Sequence, residues 1–351
     1  MASPAWPDRD DAWSGSADLA DRFRGSLLWG AAGDALGRPT ESRSWEAIRR
    51  RWGPQGVTTY QPWRGWQSGP IGTWTDDTQL TIEVARTILE SGGHVDPERL
   101  SERLRAWLSH GRGKGRATTA AILAMDDGAP WWEAGPSVAS AGNGAAMRAA
   151  PVGLAWSLAP DAGPLVREAV ISALPTHAHP VGVAGAVAIA AGVALCVRHG
   201  SRPIDPDRFL AFVADAVAGI ETEPTPLRSD PTVAVTLHQR ILQVGSLLDD
   251  EPRAVFARLW SGAFALESVP AALYCFLRSP EHPGEVLLTA ANAGHDTDTI
   301  ASMAGNLVGA HVGANRLRDE HAAWWDELEG RDDLIGLAEG LLDLAVTAEQ
   351  D

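Results

Sequence analysis

Two short segments place paired acids and threonines side by side: Thr73-Trp74-Thr75-Asp76-Asp77-Thr78 and His295-Asp296-Thr297-Asp298-Thr299. Each opens a stretch whose apolar residues recur at helical spacing. Both therefore have a plain structural role open to them. Threonine and aspartate cap a helix by accepting from its free N–H groups, and the acids complement its dipole. One such cap would be ordinary. Two are less so, because Asp77 and Asp298 stand at matching places, each followed by a threonine and an apolar helix. If the two helix starts face each other, four carboxylates converge and their repulsion demands a counter-charge. Hard divalent cations, Mg²⁺ or Mn²⁺, take carboxylate and hydroxyl oxygens. Two of them about 3.5–4 Å apart polarise an oxygen and activate water. Spacing alone leaves separate caps and a two-metal site both open. The doublets Asp10-Asp11, Asp126-Asp127, Asp249-Asp250 and Asp332-Asp333 lack the threonine bracket and read as solvated surface.

Three further segments carry possible chemistry. Ser140-Ala141-Gly142-Asn143-Gly144-Ala145-Ala146-Met147-Arg148 is a glycine-rich turn leading into an apolar helix. Backbone N–H groups at such a junction hold phosphate oxygens, and a tight turn is the bland alternative. Thr176-His177-Ala178-His179-Pro180 offers two histidines at i, i+2, with hydrogen bonding favoured over metal ligation for one and exposure for the other. Gly30 to Glu41 (GAAGDALGRPTE) has glycines that let helices approach closely, with Asp34 and Glu41 as surplus acids.

The elements that must position these residues read as helices. Apolar residues at three-to-four spacing predict helices over 21–36, 44–52, 76–90, 97–109, 118–125, 145–158, 162–174, 181–199, 206–219, 232–245 and 252–260. They continue over 269–278, 284–291, 299–309, 316–330 and 333–345. The segment 64–73 reads as a loop. Val57–Tyr60 is the one short strand candidate, in loop-like surroundings. Residues 1–19 read as a flexible leader, 20–346 as one all-α domain of many packed helices, and 347–351 as a tail. Glu221–Asp230 is a surface linker that could divide two domains, but the motifs fall on both sides of it. The 351 residues are 45% hydrophobic and 21% charged, as in a folded globular protein. With 45 acidic and 29 basic residues the formal charge is −16. This argues against membrane binding and against extended nucleic acid, without excluding a local basic pocket. Cys196 and Cys275 form no CxxC and read as buried free thiols. The uncharged run 169–197 reads as a buried helix, not a membrane span. The 1–17 stretch has no apolar core, so it is no signal peptide, and the expected location is cytoplasmic.

The order GDALGRPTE, WTDDTQL, GNGAAMR, THAHP, GHDTDTIA resembles the ADP-ribosylglycohydrolases. These include the dinitrogenase-reductase activating glycohydrolases and the ADP-ribosyl-acceptor hydrolases. The resemblance runs from about Phe23 to Asn315. It implies an all-α, single compact orthogonal bundle of many helices, with a dinuclear metal cleft holding two Mg²⁺ or Mn²⁺ ions. Carried over, Thr75, Asp76 and Asp77 would be metal ligands from one side and Asp296, Asp298 and Thr299 from the other. Asp77 and Asp298, with Glu41, would be central to catalysis. Glu41 is the expected general acid or base, with Asp34 second. Ser140, Gly142, Asn143, Gly144 and Met147 would wrap the diphosphate and inner ribose, and His177 would contact substrate. The helix start after Gly144, together with His177, would supply positive potential. Two departures stand out. His295 replaces a glycine usual in the family, and is expected to narrow the cleft or touch the leaving group. Ala141 replaces an aromatic that in some relatives stacks on adenine; Trp63, Trp66, Trp131 and Trp132 are loop candidates for that role. The implied activity is release of ADP-ribose from a modified protein, arginine-linked first and serine-linked second, and the expected state is a monomer. The alternatives are a binder without turnover and a hydrolase of other conjugates, such as ADP-ribosylated nucleic-acid ends.

Overall fold

A computed structural model describes residues 5–6, 16–62, 69–138, 140–200, 202–228 and 230–348. Helix α1 (Ser16–Gly37) runs into a 3₁₀ turn (Arg38–Thr40) and then α2 (Trp45–Trp52). Next come α3 (Asp76–Glu90), α4 (Pro97–Trp107), α5 (Arg116–Asp126), α6 (Trp131–Val138), α7 (Ala150–Ala155) and α8 (Gly163–Ala173). Helices α9 (Pro180–His199) and α10 (Pro206–Val217) lead to a small antiparallel pair, β1 (Thr225–Pro226) with β2 (Ala234–Val235). The rest is α11 (Leu237–Gln243), α12 (Pro252–Leu259), α13 (Ala265–Arg278), α14 (Pro283–Ala291), α15 (Thr297–Val312), α16 (Asn315–Glu320), α17 (Ala322–Glu327) and α18 (Arg331–Ala348). The fold is all-α.

Helix α9 is the centre. Its residues from Val181 to Val197 are all buried, and it packs on α7, α8, α10, α13 and α15. By length and a mean hydropathy of 2.2 it would cross a bilayer, yet 94% of that window is buried inside the protein. An alanine, glycine and valine helix surrounded on all sides is a core element. One hydrophobic cluster includes residues from both sides of Glu221–Asp230, such as Phe209 and Leu237. Cys196 and Cys275 are buried free thiols.

The most intimate contact is α1 against α15, and it is a seam of glycines. An added Cβ at Gly33 would lie 2.1 Å from the Ala301 carbonyl oxygen, and one at Gly305 would lie 2.2 Å from that of Trp29. Backbone therefore touches backbone, and the two helices lie closer than side chains would allow. This seam places the C-terminal end of α1 beside the N-terminal end of α15.

Several boundaries differ from the sequence expectation, each for a local reason. Helix α1 begins inside the predicted leader, where Asp18 in its first turn pairs with Arg22 at 2.7 Å. Trp6, also in that leader, stacks on Phe212 at 5.0 Å. The remainder of the leader, residues 1–4 and 7–15, lies outside the described residues. Val57–Tyr60 forms no strand, because both backbone groups of Val57 bond the Asn292 side-chain amide, at 2.8 and 2.9 Å. The predicted helix 145–158 shrinks to Ala150–Ala155. Pro151 has no N–H to donate backwards, so the helix starts there and 143–147 stays a turn. The predicted helix 232–245 opens instead as a hairpin arm, and α11 starts only at a capping box of Thr236 and Gln239. The predicted 316–330 helix breaks at His321, whose ring stacks on Trp324 at 4.3 Å. Helix α13 starts at Ala265 and takes Pro270 inside it. Trp131 and Trp132 lie in helix α6, not in a loop. Helix α18 extends into the predicted tail, with residues 349–351 outside the description.

If the glycine seam sets the helix spacing, Gly33→Ala forces the helices apart and destabilises the protein by about 1–3 kcal/mol. Gly336→Ala in α18, where an added Cβ meets nothing within 4 Å, should be neutral or slightly stabilising. Urea denaturation of the two variants compares them; equal midpoints would refute the role given to the seam.

Candidate active site

Thr75 caps α3 by accepting from the Asp77 N–H at 3.4 Å. The cap is itself held by α1. Asp34, with 0% exposure, accepts from the backbone N–H groups of Thr75 and Thr78, both at 3.0 Å. The hydroxyls of the same two threonines donate to it at 2.8 and 2.6 Å. With the start of α3 so gripped, Asp76 and Asp77 line a cleft, whereas Thr75 and Asp34 do not. The expectation that Asp34 is a second proton-transfer group therefore fails. Its oxygens are saturated with donors and sealed from solvent, so it is an anchor. Thr75 is buried too; its hydroxyl donates to Asp34 and accepts from the Asp77 N–H, which leaves one lone pair on its oxygen.

The start of α15 is fixed by a different set of bonds. The Thr297 hydroxyl donates to the Gly37 carbonyl at 2.9 Å, and Thr40 donates to the Ala291 carbonyl at 2.6 Å. His295 sits at φ 61°, a left-handed conformation, and its backbone pairs both ways with the turn after α1. Ser42 N–H donates to its carbonyl at 2.6 Å, and its own N–H donates to Arg43 at 2.7 Å. These bonds bring Glu41 beside Asp296 and Asp298, with one oxygen of each carboxylate within 4.8 Å of the others. Glu41 also forms an ion pair with Arg38. The His295 ring stacks on Trp260 at 4.5 Å and does not line the cleft.

The cleft has a volume of about 240 Å³. Its acidic floor is Glu41, Asp76, Asp77, Asp296 and Asp298, with Thr299 beside them. The opposite wall is the glycine-rich turn: Ser140, Gly142, Asn143, Gly144 and Met147 all line it. That turn is tied down by a bridge between Gly142 and Phe264, and Asn143 donates to Asp296 at 2.5 Å. An added Cβ at Gly144 would lie 2.7 Å from the His177 ring, so glycine is what lets His177 reach this wall.

His177 is not the expected positive charge. Burial, and then the nearby Arg148 guanidinium, push its pKa down to about 3, so it is neutral. Arg148 donates to the Thr176 hydroxyl at 2.8 Å, and Thr176 lies 2.8 Å from His177 Nδ1. With the Thr176 oxygen accepting from Arg148, the acceptor in reach of its hydrogen is Nδ1, and that pairing leaves the ring proton on Nε2. His177 thus offers a neutral N–H to the cleft. The turn after Gly144 is not a helix start either, so the expected dipole is absent there. Positive charge comes instead from Arg116 and Arg228, both exposed on the cleft wall. Sequence reasoning missed both. Gly113-Lys114-Gly115-Arg116, a basic glycine-rich run, was the signal for the first; nothing in the hairpin segment marked the second.

The acids repel. Burial, then neighbouring carboxylates, raise Asp76 and Asp77 well above the usual range. Burial also raises Asp34 and Asp296 to about 6, and burial with Asp296 raises Asp298 to about 7. Asp77 Oδ1 is buried without a hydrogen-bond partner. Carboxylate and hydroxyl oxygens, an orphaned buried oxygen and uncompensated negative charge fit a hard divalent cation. Among the described residues no phenylalanine, tyrosine or tryptophan lines the cleft. Trp63 and Trp66 lie outside the described residues. The surface doublets at 126–127, 249–250 and 332–333 are exposed.

The family model for ADP-ribosylglycohydrolase matches residues 15–351. An uncharacterised protein of Archaeoglobus fulgidus is 32% identical over 328 residues, covering 93% of this chain and 97% of that protein. ADP-ribosylhydrolase ARH3 of Homo sapiens is 28% identical over 368 residues, covering 97% of this chain and 98% of that protein. A solved ADP-ribosylglycohydrolase-related protein complex is similar with a TM-score of 0.67 at 25% identity, covering 94% of this chain and 99% of that one. The chain belongs to the ADP-ribosylglycohydrolase family and is a glycohydrolase.

The anchor role of Asp34 has a direct consequence. Asp34→Ala leaves buried donors of Thr75 and Thr78 without acceptors, a loss of about 3 kcal/mol. Thermal and urea unfolding should both register it. Stability equal to the parent would show that α3 is held some other way.

Proposed function

We propose that the protein is a metal-dependent hydrolase that releases ADP-ribose from ADP-ribosylated protein, with arginine the first linkage and serine the second. The observation that carries this is the meeting of two acidic helix starts and Glu41 with the Ser140–Gly144 turn, joined through Asn143 and Asp296. Two Mg²⁺ or Mn²⁺ ions held by Thr75, Asp76, Asp77, Asp296, Asp298 and Thr299, with Glu41 beside them, would offset the carboxylate repulsion and supply Lewis acidity.

The chain's own groups have distinct tasks. The Ser140–Gly144 turn and the Nε2–H of His177 orient the diphosphate and inner ribose. Arg116 and Arg228 give the diphosphate the local positive charge that the overall −16 denies it. Water adds at the anomeric carbon, the bond to the acceptor breaks, and the acceptor leaves with a proton. Glu41, at the edge of the floor, moves that proton as general acid or base. Positive charge developing at the anomeric carbon is stabilised by the surrounding carboxylates.

Release of free ADP-ribose from arginine-linked and serine-linked proteins, compared side by side, tests the reaction and its linkage; no release from either would overturn it. Asp77→Ala and Asp298→Ala should each lower turnover about a thousandfold or more, and chelation should do the same reversibly. Retained activity in both variants would refute the metal assignment. Arg228→Gln should raise KM about tenfold while kcat stays close to the parent, as expected for a group that binds ground and transition state alike. A fall in kcat alone would remove Arg228 from that role.

A further inference from the structure

A second cavity, also about 240 Å³, shares Glu41 with the cleft. Its wall includes Arg38, Ser42, Arg43, Arg51 and Trp52. Three arginines thus face one glutamate, in a chain whose formal charge is −16. Arg38 is balanced by its ion pair with Glu41. Arg43 and Arg51 are different. Their guanidinium carbons lie 5.6 and 4.9 Å from the Trp52 ring centroid, and Arg43 donates to the Pro39 carbonyl at 3.2 Å. Neither is ion-paired with a carboxylate among the described residues. Cation–π contact with the one indole limits the freedom of both heads, so less of it is lost when an anion arrives.

Asn143, Gly144, His177, Arg116 and Arg228 all line the first cleft, and none lines the second cavity. With ADP-ribose in the first, the second lies across Glu41, where the acceptor must be. Resting on that reading of the cleft, we propose that this cavity receives an acidic side chain of the acceptor polypeptide, close in sequence to the modified residue. The specificity it confers is for ADP-ribosylated sites in acidic surroundings. At about 240 Å³ the cavity has room for a carboxylate side chain. A guanidinium pair recognises a carboxylate by charge-assisted hydrogen bonds. A long polyanion such as nucleic acid would meet the repulsion of the whole acidic surface. A single carboxylate feels mainly the arginines within a Debye length of about 8 Å.

The test uses the full-length protein and matched ADP-ribosylated peptides, arginine-linked and serine-linked, each with glutamate or glutamine flanking the modified residue. The glutamate version of whichever linkage is cleaved should have a kcat/KM about tenfold higher. Arg51→Gln should remove most of that preference, and Arg51→Glu should reverse it, while hydrolysis of the glutamine peptide reports that the variants are folded. Arg43→Gln is the second, independent variant. Equal rates on both flanks, or a preference untouched by Arg51→Gln, overturns the inference while leaving the hydrolase reading intact. Cleavage of neither peptide sinks the hydrolase reading itself. An oligonucleotide carrying ADP-ribose on a terminal phosphate is the remaining arm. If it is cleaved in an Arg51-dependent way while the peptide flanks make no difference, the cavity belongs to nucleic-acid ends and the peptide proposal is wrong.

Discussion

Carboxylates packed together out of bulk water repel one another, and the fold must hold them there against that repulsion. Asp76, Asp77, Asp296 and Asp298 all have their acidities weakened by burial. Arg38, ion-paired with Glu41, also favours the charged form of Asp298, but burial and Asp296 outweigh it. Rigidity does the holding. Asp34 fixes the first turn of α3, Thr40 and Thr297 fix the first turn of α15, and the glycine seam between α1 and α15 fixes the distance between those fixtures. An arrangement so strained in charge is poised to take up cations, because each cation bound removes a penalty that the protein already carries.

Helix α1 is the common reference. Asp34 near its end grips α3, while Gly37 accepts from Thr297 of α15 and the turn that follows delivers Glu41. Small residues along its length are therefore functional at one remove: they set where acids meet. Nearer the substrate wall the same logic recurs. Gly144 makes room for His177, and a buried relay from Arg148 through Thr176 chooses which ring nitrogen carries the hydrogen. The wall consequently presents a neutral donor, and its positive charge is left to two exposed arginines that approach from separate segments.

Glu41 stands where two differently charged cavities meet, an acidic one and a basic one. A residue at such a junction is well placed for proton exchange between a sugar held on one side and a departing group on the other. The contrast also separates two kinds of recognition. On the reading proposed above, ADP-ribose would be met by backbone turns, side-chain oxygens and two exposed arginines, and the acceptor side by guanidinium groups in contact with an indole.

Residue types and local spacing were enough to read the helices, their buried faces and the two capped acidic starts. Those features come from contacts within a few residues: Asp76–Glu90 needed only its threonine cap and its apolar stripe. The resemblance in motif order gave the glycine-rich turn and Glu41 their expected roles. Local pattern failed where a distant group intervened. Asn292 replaced a strand partner for Val57, and Trp260 drew the His295 ring into a stack away from the cleft wall; Pro151, by contrast, shortened its helix from within. Asp34 read as a spare acid, because four donors from α3 are invisible along the chain. Arg228 read as linker, because its place on the wall depends on a hairpin closing. Which acids share a floor and which charge faces them are questions of through-space distance between segments far apart in order. Electrostatics and packing act on that distance, and residue spacing along the chain does not encode it.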